Sequence, residues 1–192
     1  ATFQPEQRTL TLQLDSLRRQ THTNWICIVC DDGSDDVHTA MLETLCATDE
    51  RFHFFPHEQN IGFYNNFERC LRHIPPKIDL IALCDQDDVW YPQKLEQLLT
   101  TFSDTTSLAY SDMRLIDNNG TVIADSYWTT RRNNYDDLHV LLAANTITGA
   151  ASLFRRDVLE LALPFPTRIA DVYHDHWIAL CAYCLLYTSD AA

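Results

Sequence analysis

Three short acidic stretches carry the residues best suited to chemistry: Asp85-Gln86-Asp87-Asp88, Asp31-Asp32-Gly33-Ser34 and His174-Asp175-His176-Trp177. The first follows the apolar run Leu80 to Cys84 directly and precedes Val89-Trp90-Tyr91-Pro92, so three carboxylates crowd the carboxyl end of a buried strand. In extended chain Asp85 and Asp87 face the same side, about 6.6 Å apart. One divalent cation with oxygen ligands at about 2.1 Å spans that gap directly or through water. Without a cation such charges repel and raise a pKa. A plain helix cap ahead of Pro92 needs one carboxylate, and this turn offers three, which makes Asp85, Asp87 and Asp88 metal candidates.

Asp31-Asp32-Gly33-Ser34 ends the apolar run Trp25 to Cys30 in the same manner. A carboxylate there can accept from a ribose hydroxyl or a base N–H, and Gly33 allows close backbone approach. An ordinary turn and helix cap reads equally well from these four residues alone. Asn60-Ile61-Gly62-Phe63-Tyr64-Asn65-Asn66 opens a helix after another strand. Asn60, Gly62 and Asn66 suit a nucleotide site, while Asn60 also suits an N-cap. In the third stretch Asp175 is a candidate general base, and His174 or His176 a metal ligand. The bland reading is a helix start with a favourable carboxylate.

The elements that must position these residues alternate along the first half. Leu10, Leu14 and Leu17 predict a helix over 5–20, and Trp25 to Cys30 a buried strand. A second helix carries Val37, Met41, Leu42 and Leu45, and a strand spans 52–55. Phe63, Phe67, Cys70 and Leu71 mark a third helix, then a strand over 79–84. Pro92 opens a fourth helix whose apolar face is Leu95, Leu98, Leu99 and Phe102. Beyond it lie a strand at 108–110, a hairpin turning at Asp117-Asn118-Asn119-Gly120, a helix over 135–143, a strand over 150–154 and a closing helix over 174–186. Such alternation predicts a layered α/β domain with a mostly parallel sheet made mixed by its second half, its ligand at the carboxyl ends of the strands. The 192 residues fit one domain. Its sheet is expected to want a strand before residue 1, and the tail from Tyr187 to Ala192 to be foreign to it.

Fourteen Lys and Arg against 27 Asp and Glu leave a net charge of −13, and the pairs Arg18/Arg19, Arg131/Arg132 and Arg155/Arg156 make no stripe. Nucleic acid is therefore not an expected partner, while a small phosphorylated ligand remains compatible through a divalent cation. Seven cysteines scattered in apolar runs read as reduced thiols of a cytoplasmic protein. The Cys27/Cys30 pair does not read as zinc ligands, since an i,i+3 spacing in a strand sends the sulfurs to opposite faces. The longest apolar run, Trp177 to Tyr187, has 11 residues, short of the roughly 20 a membrane span needs. Peripheral contact with the inner face of a membrane stays open.

Taken in order, Ala1-Thr2-Phe3, Asp31-Asp32-Gly33-Ser34, Asn60-x-Gly62, Asp85-Gln86-Asp87-Asp88-Val89-Trp90, Ser111-Asp112, Thr148-Gly149-Ala150 and His174-Asp175-His176-Trp177 resemble glycosyltransferase family 2 over nearly the whole chain. The D-Q-D-D-V-W form is similar to a bacterial branch described as rhamnosyltransferases of cell-surface polysaccharide synthesis. The resemblance implies a GT-A fold, a Rossmann-like three-layer sandwich, with a nucleoside-diphosphate sugar donor, Mn²⁺ or Mg²⁺, and inversion at the anomeric carbon. It places Thr2, Phe3, Asp31 and Asp32 near the nucleoside, and Asp85, Asp87 and Asp88 at the ribose and metal-diphosphate. Asp175 aligns with the family's catalytic base. Two departures stand out: His174 replaces the usual acid beside that base, and Gln4-Pro5 stands where the family often has Asn-Gly.

On that reading Asp175 deprotonates an acceptor hydroxyl in a single in-line displacement. The acceptor, a saccharide or lipid-linked saccharide, would sit in the second half against Ser111, Asp112, Thr148, Gly149 and Trp177. Three other readings compete. A phosphatase with an aspartyl nucleophile also places D-x-D after a strand but needs neither Asp31 nor Asp175. A nucleotidyltransferase should show a glycine-rich basic phosphate loop, which is not seen. A non-catalytic nucleotide-sugar binder has no need of intact acidic clusters.

Overall fold

The computed structural model describes residues 1–129, 137–145, 147–167 and 173–188. Its first half alternates as expected: α1 (Gln7–Arg18), β1 (Cys27–Cys30), α2 (Asp36–Cys46), β2 (Phe52–Phe55), α3 (Phe63–Arg72), β3 (Leu80–Ala82) and α4 (Lys94–Thr100). Leu10, Leu14 and Leu17 are all buried along one face of α1, each worth roughly 1.5–3 kcal/mol of transfer from water. Helix α2 departs from expectation. It buries Leu42 and Cys46, while Val37 is 77% exposed, because five residues before Leu42 is about 140° around the helix.

The second half holds β4 (Leu108–Tyr110), the hairpin β5 (Leu115–Ile116) and β6 (Val122–Ala124), α5 (Leu138–Ala143), a 3₁₀ turn (Gly149–Ala151), β7 (Ser152–Arg155), α6 (Arg156–Ala162) and α7 (His174–Thr188). The hairpin turns where predicted, with Gly120 at φ +84°, a left-handed conformation that glycine adopts without strain. Helix α5 starts at Leu138, with Asp137 accepting from the His139 amide at 2.9 Å; the earlier part of the helix predicted from Tyr135 lies outside the described residues. Helix α6 was not predicted. It is a single short stretch burying Val158, Leu159 and Ala162, too brief for a periodic signal to stand out. Helix α7 runs on to Thr188, past the break expected at Tyr187, and residues 189–192 are outside the described part.

Both strand directions occur, as a mixed sheet requires, but parallel pairing does not predominate among the described strands. Strands β1 and β2 pair in parallel, and Thr2 adds one parallel bridge to Asp31. Strand β7, however, runs antiparallel between β3 and β4, with Ile81 opposite Phe154 and Ala109 opposite Leu153. The parallel pair β1–β2 and the antiparallel set β3–β7–β4 are not hydrogen-bonded to each other among the described strands.

Helices cover both faces, giving three layers. Ile81, Leu83 and Phe154 point to a core formed with α3, α6 and α7, whereas Ala82 and Cys84 point to the side of α1 and α2. This alternation is the period of two that a strand imposes. Between β1 and β3, which do not pair with each other, lies an apolar cavity of about 720 Å³ lined by Leu14, Val29, Leu71 and Ile81 among others. It sits in the core rather than over the carboxylates. Among the described residues no helix is long and apolar enough to cross a membrane.

Candidate active site

Three segments meet at the strand ends: the start of the chain, the turn after β1 and the turn after β3. Thr2 donates its amide to the Cys30 carbonyl at 2.9 Å and accepts from the Asp32 amide at 2.9 Å. Gln86 then pairs with the backbone of Phe3 in both directions. Its Oε1 accepts from the Phe3 amide at 2.9 Å, and its Nε2 donates to the Phe3 carbonyl at 3.3 Å. Gln4, at φ +40°, gives its amide to Ser34 Oγ at 2.8 Å. The chain start thus fastens the two acidic turns together.

The first of these turns is occupied by the protein itself. Asp31 is fully buried and accepts from Ser34 Oγ at 2.6 Å and the Ser34 amide at 2.8 Å. Asp32, 2% exposed, accepts from the Ile61 amide at 2.8 Å and the Gly62 amide at 2.9 Å. It therefore caps the entry to α3, as a carboxylate does at a helix start. Gly33 lies so close to the Gln59–Asn60 backbone that an added Cβ would come within 2.5 Å of it, at φ +74°. Asn66 is also a builder: buried, it donates to the Cys30 carbonyl at 2.9 Å. Asn60 is exposed, and its Oδ1 accepts from the Gly62 amide at 3.1 Å.

The second turn differs. Among the described residues no hydrogen bond reaches the carboxylates of Asp85, Asp87 or Asp88. Burial, then the neighbouring Asp88, push Asp85 up to about 6 from an ordinary 3.8. Asp88 is raised by burial and by Asp87. Facing them is Lys94, the first residue of α4, whose ammonium lies 3.6 Å from the centre of the Trp90 ring and bonds to the Ala150 carbonyl. Burial lowers its pKa to about 8, against the pull of Cys84, Asp88 and Asp85.

Asp175 opens α7 opposite this turn, close enough that its charge also raises Asp85. Its Oδ2 accepts from the Gly149 amide at 3.1 Å and its Oδ1 from the His176 amide at 2.7 Å. Burial raises its pKa, against those hydrogen bonds, which suits a group that must take up a proton. Gly149 is packed against it, since a Cβ there would meet Asp175 Cβ at 3.1 Å and His174 Nε2 at 3.3 Å. His174 is buried and stacked on Phe67 at 3.7 Å, and burial lowers its pKa to about 3, so the ring is neutral. Its Nδ1 is buried with no partner among the described residues.

The donor set of the second turn fits a hard divalent cation in charge and in kind, because hard cations take carboxylate oxygens. In this conformation no three His, Cys, Asp or Glu side chains converge on one point among the described residues. Of the two candidate histidines, His176 is turned toward α5, its Nε2 at 2.6 Å from the Leu141 carbonyl. Trp177 faces α6, with its indole N–H on the Ala162 carbonyl at 2.9 Å and its ring against the core, which takes it off the expected acceptor wall. Asp112 is exposed and holds its own loop, accepting from Ser126 Oγ at 2.5 Å and the Tyr127 amide at 3.0 Å. Ser111 ties β4 to the 3₁₀ turn by donating its amide to the Ala151 carbonyl at 3.1 Å, and Thr148 accepts from the Ala151 amide at 3.0 Å. Sequence reasoning missed Gln86, Ser34 and Lys94. Gln86 had a signal: an amide between two acids can match the backbone of one extended residue, donor to acceptor and acceptor to donor.

The family model for glycosyl transferase family 2 matches residues 3–162. The chain belongs to that family. The UDP-Glc:alpha-D-GlcNAc-diphosphoundecaprenol beta-1,3-glucosyltransferase WfgD of Escherichia coli is 29% identical over 117 residues, which are 60% of this chain and 45% of that protein. Among solved structures, TarS from S. aureus superimposes with a TM-score of 0.65 at 16% identity, covering 94% of this chain and 53% of the other. The mannosyltransferase PcManGT from Pyrobaculum calidifontis, solved with GDP-Man and Mn²⁺, superimposes at 0.64 and 17% identity, covering 92% and 48%. These likenesses show the fold, which is the GT-A type. The chain spans about half the length of these relatives.

Proposed function

We propose that this chain carries the donor site and base of an inverting glycosyltransferase. It transfers a sugar from a nucleoside diphosphate to a saccharide or lipid-linked saccharide in cell-surface polysaccharide synthesis. A hexosyl donor is the broad reading, and rhamnosyl the narrower one that D-Q-D-D-V-W suggests. The observation that carries the proposal is the pairing of a repelling carboxylate turn, Asp85 to Asp88, with an isolated half-buried carboxylate, Asp175, across one strand end. The name of the Escherichia coli relative, with a nucleotide-sugar donor and a diphospholipid acceptor, fits the same chemistry.

Mn²⁺ or Mg²⁺, held by Asp85, Asp87 and Asp88, would supply positive charge to the diphosphate leaving group. The chain's own residues do the rest. Thr2, Phe3 and the Asp31–Ser34 turn form the wall beside which the nucleoside lies. Asp175 takes the proton from the attacking acceptor hydroxyl, its carboxylate aimed by the Gly149 amide. Base and leaving group lie on opposite sides of the sugar, as in-line displacement requires.

A thermal-shift screen of nucleotide sugars with Mn²⁺ tests the proposal and identifies the base and sugar. Stabilisation is expected from one nucleoside diphosphate class, lost with chelator and weakened about 10- to 100-fold in affinity by Asp87→Asn. Binding that persists unchanged in chelator would remove the metal, and hydrolysis of simple phosphate esters would favour a phosphatase.

A further inference from the structure

We propose that Lys94 is a positioning residue for this reaction, its ammonium locking the turn that aims Asp175 against the acidic turn. The inference rests on the sugar-transfer reading for its catalytic meaning, while the lock itself is a matter of structure.

The chain has two lysines, Lys77 and Lys94. Lys77 is exposed, as a lysine in an acidic chain normally is, whereas Lys94 is drawn in between two turns. On one side it faces the negative charge of Asp85 and Asp88, and below it lies the Trp90 ring at 3.6 Å. On the other side it donates to the Ala150 carbonyl. The residue before, Gly149, uses its amide on Asp175 Oδ2 at 3.1 Å. Two peptide groups of one 3₁₀ turn, joined by the hydrogen bond from the Ala151 amide to the Thr148 carbonyl at 3.0 Å, are thus held by Lys94 and spent on Asp175. The Ala150 carbonyl shares its rigid plane with the Ala151 amide, and the Thr148 carbonyl shares its own with the Gly149 amide, so the bond between the two planes passes a shift from one to the other. Losing the ammonium frees the carbonyl of Ala150, lets the turn rotate and loosens the Gly149 amide from the carboxylate. It also removes a cation that competes for the acidic turn, so affinity for Mn²⁺ should hold or rise while transfer slows. A merely structural lysine predicts the opposite pattern, with binding and turnover falling together.

Two labelling schemes decide it. Isotope-labelled lysine gives two side-chain nitrogen signals; that of Lys94 should exchange slowly with water and that of Lys77 rapidly. A Lys94 signal exchanging as fast as that of Lys77 in the folded wild-type protein would overturn the proposal, whatever happens to any variant. Isotope-labelled glycine gives four amide signals, from Gly33, Gly62, Gly120 and Gly149. In Lys94→Met the Gly149 signal should move and exchange about tenfold faster, with Gly33 and Gly120 unmoved. An unmoved Gly149 overturns the lock. With a donor in hand, Lys94→Met should lower kcat about tenfold with donor KM unchanged, and Lys94→Arg should restore part of it. An equal rise in KM overturns the positioning role. Absence of any sugar transfer in the wild type would instead sink the functional reading and leave the spectra to judge the lock.

Discussion

At the end of β1, Asp31 and Asp32 are 0% and 2% exposed and accept hydrogen bonds from Ser34, Ile61 and Gly62. At the end of β3, Asp85, Asp87 and Asp88 accept none among the described residues, and burial followed by the neighbouring carboxylates raises the proton affinity of Asp85 and Asp88. The two turns look alike in sequence, yet one spends its charge on the fold and the other keeps it. A buried carboxylate that accepts two backbone N–H groups is stabilised as an anion. One surrounded by its own kind is left wanting a cation. The difference marks the first turn as part of the construction and, on the proposed function, leaves the second for the ligand.

The comparison can be broken or sharpened by mutation. The largest effect should come from outside both turns: Asp175→Asn should lower kcat by about 10³-fold, within the range for a lost general base, with donor affinity kept. Retained turnover would take Asp175 out of the mechanism. Next, Asp32→Ala should cost about 3 kcal/mol in urea unfolding, because it strands the Ile61 amide and leaves the Gly62 amide only its bond to Asn60 Oδ1. If Asp32→Ala unfolds at the wild-type urea concentration, the first turn is not structural.

Asp85→Asn should act in the opposite sense. The folded pKa of Asp85, about 6, lies above the ordinary 3.8, so the folded state holds the proton more tightly. Its contribution to stability is complete below pH 3.8 and is lost as pH climbs through about 6. Asparagine abolishes that loss and should make the metal-free protein more stable at pH 7, by up to about 3 kcal/mol. The check is the difference in unfolding free energy between variant and wild type, measured from pH 4 to 8. A difference that does not grow over this range means the carboxylates of the second turn do not repel. Smallest, Gly149→Ala should cost about 1 kcal/mol of stability by overpacking and lower kcat severalfold, measured by parallel unfolding and rate assays. An alanine there with full activity would show that the fit against Asp175 is not needed.

Most elements were legible because burial repeats with the period of the backbone: Leu10, Leu14 and Leu17 on a helix, Ile81 against Ala82 on a strand. The acidic strand ends were legible too, since carboxylates seldom gather where an apolar run stops. What could not be read was the direction in which each polar group points. Asn66 and Trp177 looked like ligand contacts and are instead bonded to the carbonyls of Cys30 and Ala162. Those partners lie 36 and 15 residues away, and nothing local to Asn66 or Trp177 encodes them. The reverse insertion of β7 between β3 and β4 was likewise hidden, because strand pairing depends on the connection rather than on composition. Lys94 escaped notice for the same reason, its partner Ala150 being 56 positions distant.

Gln86 contacts Phe3 only through the main chain, giving and receiving one bond each. Any side chain at position 3 other than proline, which lacks the amide hydrogen, leaves both bonds of that clasp available. On the proposed function, the wall beside the nucleoside can therefore be re-tailored, its aromatic ring exchanged for another shape, without disturbing the carboxylates one step away. Under that proposal donor preference and charge handling are separable at a single residue.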